Sequence, residues 1–376
     1  MTASSQTTLA TGRRPRCLIV RPAPAPGGAH GGDEVIYRRS FAYLQRDYDT
    51  RIVELTSVGR PRQILEIARG APPECTRYTG PENAQMLTRV LAEERFDVVC
   101  LFNEVTFSYL AQVKAAGVPA VLVAQNVHSL VAATDPSPIA RLFRPIAVGF
   151  ERRWYADPAA ALVCISRADV QGLKAAGIDR GADLWIAPPG CLPAKPLAAD
   201  APVLPEAVLT GSYGWWRKRR DLKSFVGGPP ALGLPILASD PVALEILGDQ
   251  GQAIDADSVD WSAGLRFGLI TDAFVGGFKL KSLEYIANNC VVFSLSDIFV
   301  EYEGLPHAEE FVRITPTKAE AKRAIEAMMA LPAREVVERF LVFKAACLKR
   351  YEWEACLKPL GDAVKSRVRA PVENAA

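Results

Sequence analysis

The chain has 376 residues, 49% of them hydrophobic and 23% charged, a balance that suits a globular protein of roughly two domains and excludes a chain that is disordered throughout. Its 44 basic and 42 acidic residues leave a net charge of +2, too small a sum for a general nucleic-acid binder. No apolar run reaches the roughly 18 residues that cross a bilayer, and the opening MTASSQTTLATGRRPR has no apolar stretch of the kind that directs secretion, so residues 1–15 are expected to form a disordered tail of a cytoplasmic protein.

Beyond the tail, short apolar runs alternate with segments of helical period, the pattern of strand–helix–strand units built on a parallel sheet. The first strand is expected at 17–20 and leads through RPAPAPGGAHGGDEV into the helix VIYRRSFAYLQRD. A strand at 50–55, the helix AQMLTRVLAEER, a strand at 97–102 and the helix VTFSYLAQVKAAG follow, the last closed by Gly117 with Pro119 beyond it. Strands at 120–124, 161–165 and 184–187 complete this half, and AQNVHS and the basic, aromatic RLFRPIAVGFERRWY lie between the first two. Apart from TRIVEL at 50–55, the strand runs are almost continuously apolar, as expected where helices cover both faces of a sheet. Residues 16–187 therefore read as a doubly wound α/β domain.

The next stretch, 188–205, belongs to the proline-rich APPGCLPAKPLAADAPVLP, whose six prolines suit a semi-rigid connector. The alternation then resumes, with AVLTGS, PILAS, FGLIT and CVVFSL as strands and RDLKSFV, VALEILGD and KLKSLEYIANN as helices between them. TKAEAKRAIEAMMAL and AREVVERFLVFKAACLKRYEW close the chain with helical period. Two α/β halves on a hinge should enclose a cleft. Cys17, Cys100 and Cys164 sit inside strand runs as small core hydrophobes; Cys75, Cys191, Cys290, Cys347 and Cys356 show no paired spacing; and His30, His128 and His307 are scattered, so no metal site is expected.

In open α/β sheets ligands bind beyond the carboxyl ends of the strands. After the strand FGLIT comes FVGGFKLKSLEYIANN. Gly276 and Gly277 would let an anion approach the unpaired amides at the start of a helix, Lys279 and Lys281 would add full charges, and Glu284 could accept hydrogen bonds from a vicinal diol such as ribose. The competing structural reading is a solvated helix start with a Lys281–Glu284 pair.

This segment, GGFKLKSLEYIANNCVVFSL, resembles the nucleotide-sugar motif of the retaining glycosyltransferases of family 4. ALVCISRADVQGLKAAG with LWIAPPG looks like that family's approach to its interdomain linker, AVLTGSYGWW resembles the opening of its second domain, and KRYEW its closing helix. The pieces run in the family's order from Arg16 to about Leu360. The resemblance implies the GT-B architecture: two facing Rossmann-like domains, the second (206–350) holding a nucleotide diphosphate sugar, and a closing helix within 351–376 that packs back on the first.

On that likeness, Lys281, Lys279, Arg219 and His128 carry the catalytic roles, with Arg219 chosen from the run Arg217, Lys218, Arg219 and Arg220. Glu284, Gly276, Gly277, Phe278, Ser212 and Lys218 hold the donor, and Gly31, Gly32, Gln125, Asn126 and Ser166 line the acceptor side. The implied reaction is transfer of a hexose-type sugar to a hydroxyl of a saccharide, lipid-linked or small-molecule acceptor. It proceeds with retention and without a metal or other cofactor, the nucleotide sugar being a co-substrate. No nucleic-acid partner is expected. The protein is expected free in the cytoplasm or peripheral at the inner face of the membrane, with Trp215 and Trp216 as candidate surface anchors. The chain departs from the family in two places: Gly276 stands where the earlier of two glutamates belongs, and Gln125 stands where a histidine is common, with His128 close behind. The triplet at 255–257, DAD, matches the metal-binding signature of the other glycosyltransferase architecture but reads as a surface loop. Two rivals remain. One is an NAD(P)-dependent oxidoreductase with Glu54 on the ribose, opposed by the lack of a GxGxxG loop; the other is a non-catalytic glycosyltransferase-like subunit.

Overall fold

The computed structural model describes residues 13–24, 31–255 and 258–368, so part of the triplet at 255–257 and His30 lie outside the described residues. Two six-stranded, wholly parallel sheets form the molecule. The first contains β1 (Arg16–Pro22), β2 (Asp49–Leu55), β3 (Val98–Phe102), β4 (Ala120–Ala124), β5 (Ala160–Cys164) and β6 (Leu184–Ile186), in the order β2-β1-β3-β4-β5-β6. The second contains β7 (Val203–Leu209), β8 (Ile236–Ala238), β9 (Gly251–Ala253), β10 (Leu265–Ile270), β11 (Cys290–Ser294) and β12 (Val312–Ile314), in the order β12-β11-β10-β7-β8-β9.

Strands β3, β4, β5, β10 and β11 are buried at every residue, because helices cover both faces of each sheet and leave no position for a polar side chain to reach water. That is why their runs are readable as strands. The edge strands β9 and β12 are short and partly exposed, carry no such run, and are additions to the expected set. Strand β7 begins at Val203, inside the proline-rich stretch, because the amide of Leu265 donates to the carbonyl of Pro202 and carries the sheet ladder that far. The connector is held to the second half: the amides of Cys191 and Lys195 donate to the carbonyls of Tyr351 and Ala287.

The expected helix over 105–117 is instead a 3-10 turn, Glu104–Tyr109, followed by a short helix, Leu110–Ala115. Asn103 has a φ of 72° and its side chain accepts from the amide of Val105, a local turn that helical period alone does not reveal. At the other end of the chain, the helix Ala333–Arg350 remains on the second half. The helix Trp353–Arg367 crosses over, burying Leu357, Leu360, Ala363 and Val364 in the core that contains Cys17, Cys100, Val121 and Val163. Among the described residues, no helix is long and apolar enough to cross a membrane.

Strand order reverses at two places, between β1 and β3 and between β7 and β10. Neighbouring connections diverge there and open a crevice at the carboxyl ends of the strands. The first reversal presents Gly31 to Asp33 and Asn103 to Glu104. The second presents Thr210 to Tyr213 and Thr271 to Asp272.

Candidate functional site

The second-half wall is tied together by Tyr285, whose hydroxyl accepts from the amide of Thr210 at 2.9 Å and donates to the carbonyl of Leu269 at 3.0 Å, joining the ends of β7 and β10. Three lysines gather on this wall. Lys279 Nζ lies 3.4 Å from Asp272 Oδ2 and 4.1 Å from the centre of the Phe274 ring. Lys281 Nζ donates to the Tyr213 hydroxyl at 3.4 Å and stands 4.6 Å from the centre of that ring. Gly211 makes room for it, since a methyl there would lie 2.5 Å from Lys281 Cε. Lys218 faces the same carboxylate from the helix Trp216–Gly227.

The electrostatics follow from this crowding. Desolvation works against the charged form of Asp272, but Lys279, Lys281 and Lys218 outweigh it and lower the pKa to about 2. Desolvation lowers the pKa of all three lysines despite that carboxylate. Only Lys279 is in ion-pair contact with an acid among the described residues. Glu284 is half-buried beside Lys281 and Thr210, and burial raises its pKa. Thr210 Oγ1 and Asp272 Oδ1 are buried without a hydrogen-bond partner among the described residues.

The glycine loop is placed differently from what an exposed anion cradle requires. A methyl on Gly276 would meet Val131 Cγ2 at 2.2 Å, and one on Gly277, whose φ is +58°, would meet the carbonyl oxygen of Gln125 at 2.4 Å. The amide of Gly277 donates to Asp169 Oδ1 at 3.1 Å and that of Val275 to Thr134 Oγ1 at 2.8 Å. Gly277 lets the two halves touch backbone to backbone, Gly276 makes room for the Val131 side chain, and the Gly277 amide already has a protein partner. The loop contact also leaves no space at position 276 for the glutamate that the resemblance would put there. Phe278 is buried, its ring 5.3 Å from that of Tyr351.

Across the cleft, Gly31 caps the helix Gly32–Leu44, and a methyl on Gly32 would lie 3.5 Å from Leu280 at the start of the opposing helix Leu280–Ala287. Asp33 follows; desolvation and Glu104 push its pKa up to about 6, while Lys218 pulls it down. Glu104 is buried and organises the loop after β4. One oxygen accepts from the amides of Gln125 at 3.0 Å and Asn126 at 3.3 Å; the other accepts from Asn126 Nδ2 at 3.0 Å and lies 3.3 Å from His128 Nε2. Gln125 in turn accepts from Asn103 Nδ2 at 2.7 Å. Burial works against a charged imidazole on His128, but Cys75 and Glu104 outweigh it and hold the pKa well above the ordinary value.

The basic run resolves into separate tasks. Arg217 pairs with Glu74 and Asp135, and Arg220 with Asp135 and Asp221. Arg219 is exposed and donates to the carbonyl of Gly214 at 2.9 Å. Lys218, not Arg219, is the member of the run that faces the cleft carboxylates. Ser212 is exposed and accepts from the amide of Gly214. Ser166 is buried as the cap of the helix Arg167–Ala175, accepting from the amide of Asp169 at 2.9 Å. Asp33, Glu104, Asp169, Tyr213 and Asp272 were not singled out from sequence. Asp272 could have been, as a carboxylate directly after an apolar strand; Glu104 becomes visible only when the first sheet brings it against the loop after β4, and Asp169 only when the halves meet.

Asp169 makes a pH dependence testable. It is buried and accepts from the amides of Val127 and Gly277, yet burial raises its pKa from 3.8 to about 7, with Ser166 and those amides opposing and Glu104 reinforcing the shift. The folded state therefore holds this proton more tightly than the unfolded state, and stability falls as pH rises from 3.8 to about 7. Asp169→Asn should remove that component from a pH series of melting temperatures. A series unchanged in Asp169→Asn would count against the assignment.

No family model and no curated protein matches the chain. Solved structures do. An α,α-trehalose-phosphate synthase (UDP-forming) from Burkholderia vietnamiensis is 12% identical with a TM-score of 0.58, the match covering 93% of this chain and 100% of that one. An α,α-trehalose 6-phosphate synthase from Burkholderia multivorans is 13% identical with a TM-score of 0.58, covering 94% and 98%. A UGT transferase from Siraitia grosvenorii in complex with UDP is 10% identical with a TM-score of 0.55, covering 93% and 100%. At these identities the likeness establishes the fold: two facing Rossmann-like units in the GT-B arrangement, closed by a helix that returns to the first.

Proposed function

We propose that the chain is a glycosyltransferase that moves a sugar from a nucleotide diphosphate sugar to a hydroxyl acceptor. The observation that carries this reading is the convergence of three desolvated lysines, Lys218, Lys279 and Lys281, on the buried carboxylate of Asp272 at the second strand-order reversal, where Asp33, Asp240 and Glu284 face them at longer range and Lys218 and Lys281 have no acid in ion-pair contact among the described residues. A diphosphate would give the two ammonium groups that no carboxylate contacts a partner at hydrogen-bond distance. As the bond from the anomeric carbon to the departing diphosphate breaks, these preorganised ammonium groups stabilise the charge that accumulates on it.

Glu284 is the acceptor for the ribose hydroxyls in this reading, and the Asp33 side of the cleft receives the acceptor. Retention of configuration belongs to the reading through the family 4 resemblance: the acceptor oxygen bonds to the anomeric carbon and its proton passes to a departing phosphate oxygen on the same face. The lysines neutralise that phosphate without requiring a metal ion. The UDP held by the Siraitia grosvenorii protein makes UDP-sugars the first donors to test.

The test is kinetic. Removing a charged hydrogen-bonding partner is worth about 1.5–3 kcal/mol, so Glu284→Ala should raise the donor KM about 10- to 100-fold with a smaller change in kcat. Thermal-shift screening with UDP-, GDP-, dTDP- and CMP-sugars identifies the donor beforehand. A donor KM that stays at the unsubstituted value in Glu284→Ala would remove the ribose assignment. Failure of every nucleotide sugar to shift the melting temperature would remove the function.

A further inference from the structure

We propose that the face formed by the start of the helix Pro138–Trp154 together with Trp215 and Trp216 docks on a bilayer containing anionic lipid. Ile139 is 60% and Leu142 74% exposed, while Trp215 and Trp216 are 37% and 47% exposed. Arg141 stands between the aliphatic residues in sequence and Arg144 follows them, both exposed and, among the described residues, without an acidic partner. The one acid in that helix, Glu151, is fully buried.

The start of this helix and the Trp215–Trp216 turn lie close together although they come from opposite halves of the molecule. Asp135, just before the helix, pairs with Arg217 and Arg220, whose guanidinium groups lie 5.1 and 5.4 Å from the centre of the Trp216 ring. Ala140, Phe143 and Arg217 also line a common crevice. The nearby carboxylates are already engaged, Asp135 and Glu74 by these arginines, so the charge left facing outward is positive.

Protruding apolar side chains along one flank of a helix and unpaired arginines along the other suit a lipid surface. Each aliphatic group can enter the acyl boundary separately, indole rings favour headgroup depth, and guanidinium groups meet anionic headgroups. A protein partner would be better served by a contiguous apolar patch. Docking would place both halves, and the cleft between them, beside the interface. This inference goes beyond the nucleotide-sugar reading and is measured without any donor.

The test is sedimentation of the full chain with vesicles of phosphatidylcholine alone and of phosphatidylcholine mixed with phosphatidylglycerol. Binding is expected to the mixed vesicles only and to weaken with added salt. The pair Arg141→Gln and Arg144→Gln should weaken partitioning about 30-fold, from roughly fivefold per arginine. The pair Ile139→Ser and Leu142→Ser should also release the protein, with the melting temperature of both variants unchanged. Equal binding to both vesicles, no binding to either, or full binding by both variants would overturn the proposal. So would a protein that stays off vesicles but forms a dimer dissolved by Leu142→Ser, which would identify a second copy as the occupant.

Discussion

Lys281→Ala is expected to lower kcat by about 100- to 1,000-fold, the range seen when one preorganised group that stabilises developing charge is removed. The donor KM should change much less. The basis is the geometry of the ammonium group: Nζ donates to Tyr213, the stem lies against Gly211, and Asp272 is shared with two other lysines. Folding should survive, because removing a desolvated cation also removes the cost of burying it. The measurement is steady-state transfer with the donor identified by thermal shift, paired with a binding titration of the free nucleotide diphosphate. A kcat within about twofold of the unsubstituted enzyme would refute the role, since an effect of that size is below what any single charge contact in an enclosed site contributes.

Asp135→Ala should cost about 3–5 kcal/mol of stability, the range for breaking a buried ion pair by deleting one partner. Asp135 is 1% exposed, with Oδ2 2.8 Å from Arg217 Nε and Oδ1 2.7 Å from Arg220 Nη1. These arginines come from the second half and the carboxylate from the first, so its loss leaves two cations facing each other where the halves meet. Glu74 and Asp221 remain as partners for Arg217 and Arg220 respectively, which puts the expectation at the lower end of the range. Denaturant unfolding measures the loss. Stability within about 0.5 kcal/mol of the parent would place the pairs among the surface bridges that contribute nothing measurable.

Sequence reading reached the central strands of both sheets because parallel strands covered on both faces must be continuously apolar, as residues 98–102 and 290–294 are. It missed β9 and β12 because edge strands need not be. At the site, the glycines, Lys279, Lys281 and Glu284 were legible as a strand followed by a helix start rich in charge. Choosing among Arg217 to Arg220 was not possible, because the direction each faces depends on Asp135, Glu74 and Asp33, which lie far away in sequence.

Local pattern by itself determined that two α/β units exist, where their strands lie, and which helix start concentrates positive charge, since apolar periodicity and glycine placement are properties of neighbouring residues. Only the tertiary structure decided that Gly276 and Gly277 serve the contact between the halves, that Lys218 rather than Arg219 faces the cleft, and that Asp33, Glu104 and Asp272 set its charge balance. Desolvation and Coulomb interaction depend on distance in space, and residues 33, 104, 218 and 272 come together only when the two sheets turn the carboxyl ends of their strands toward one another.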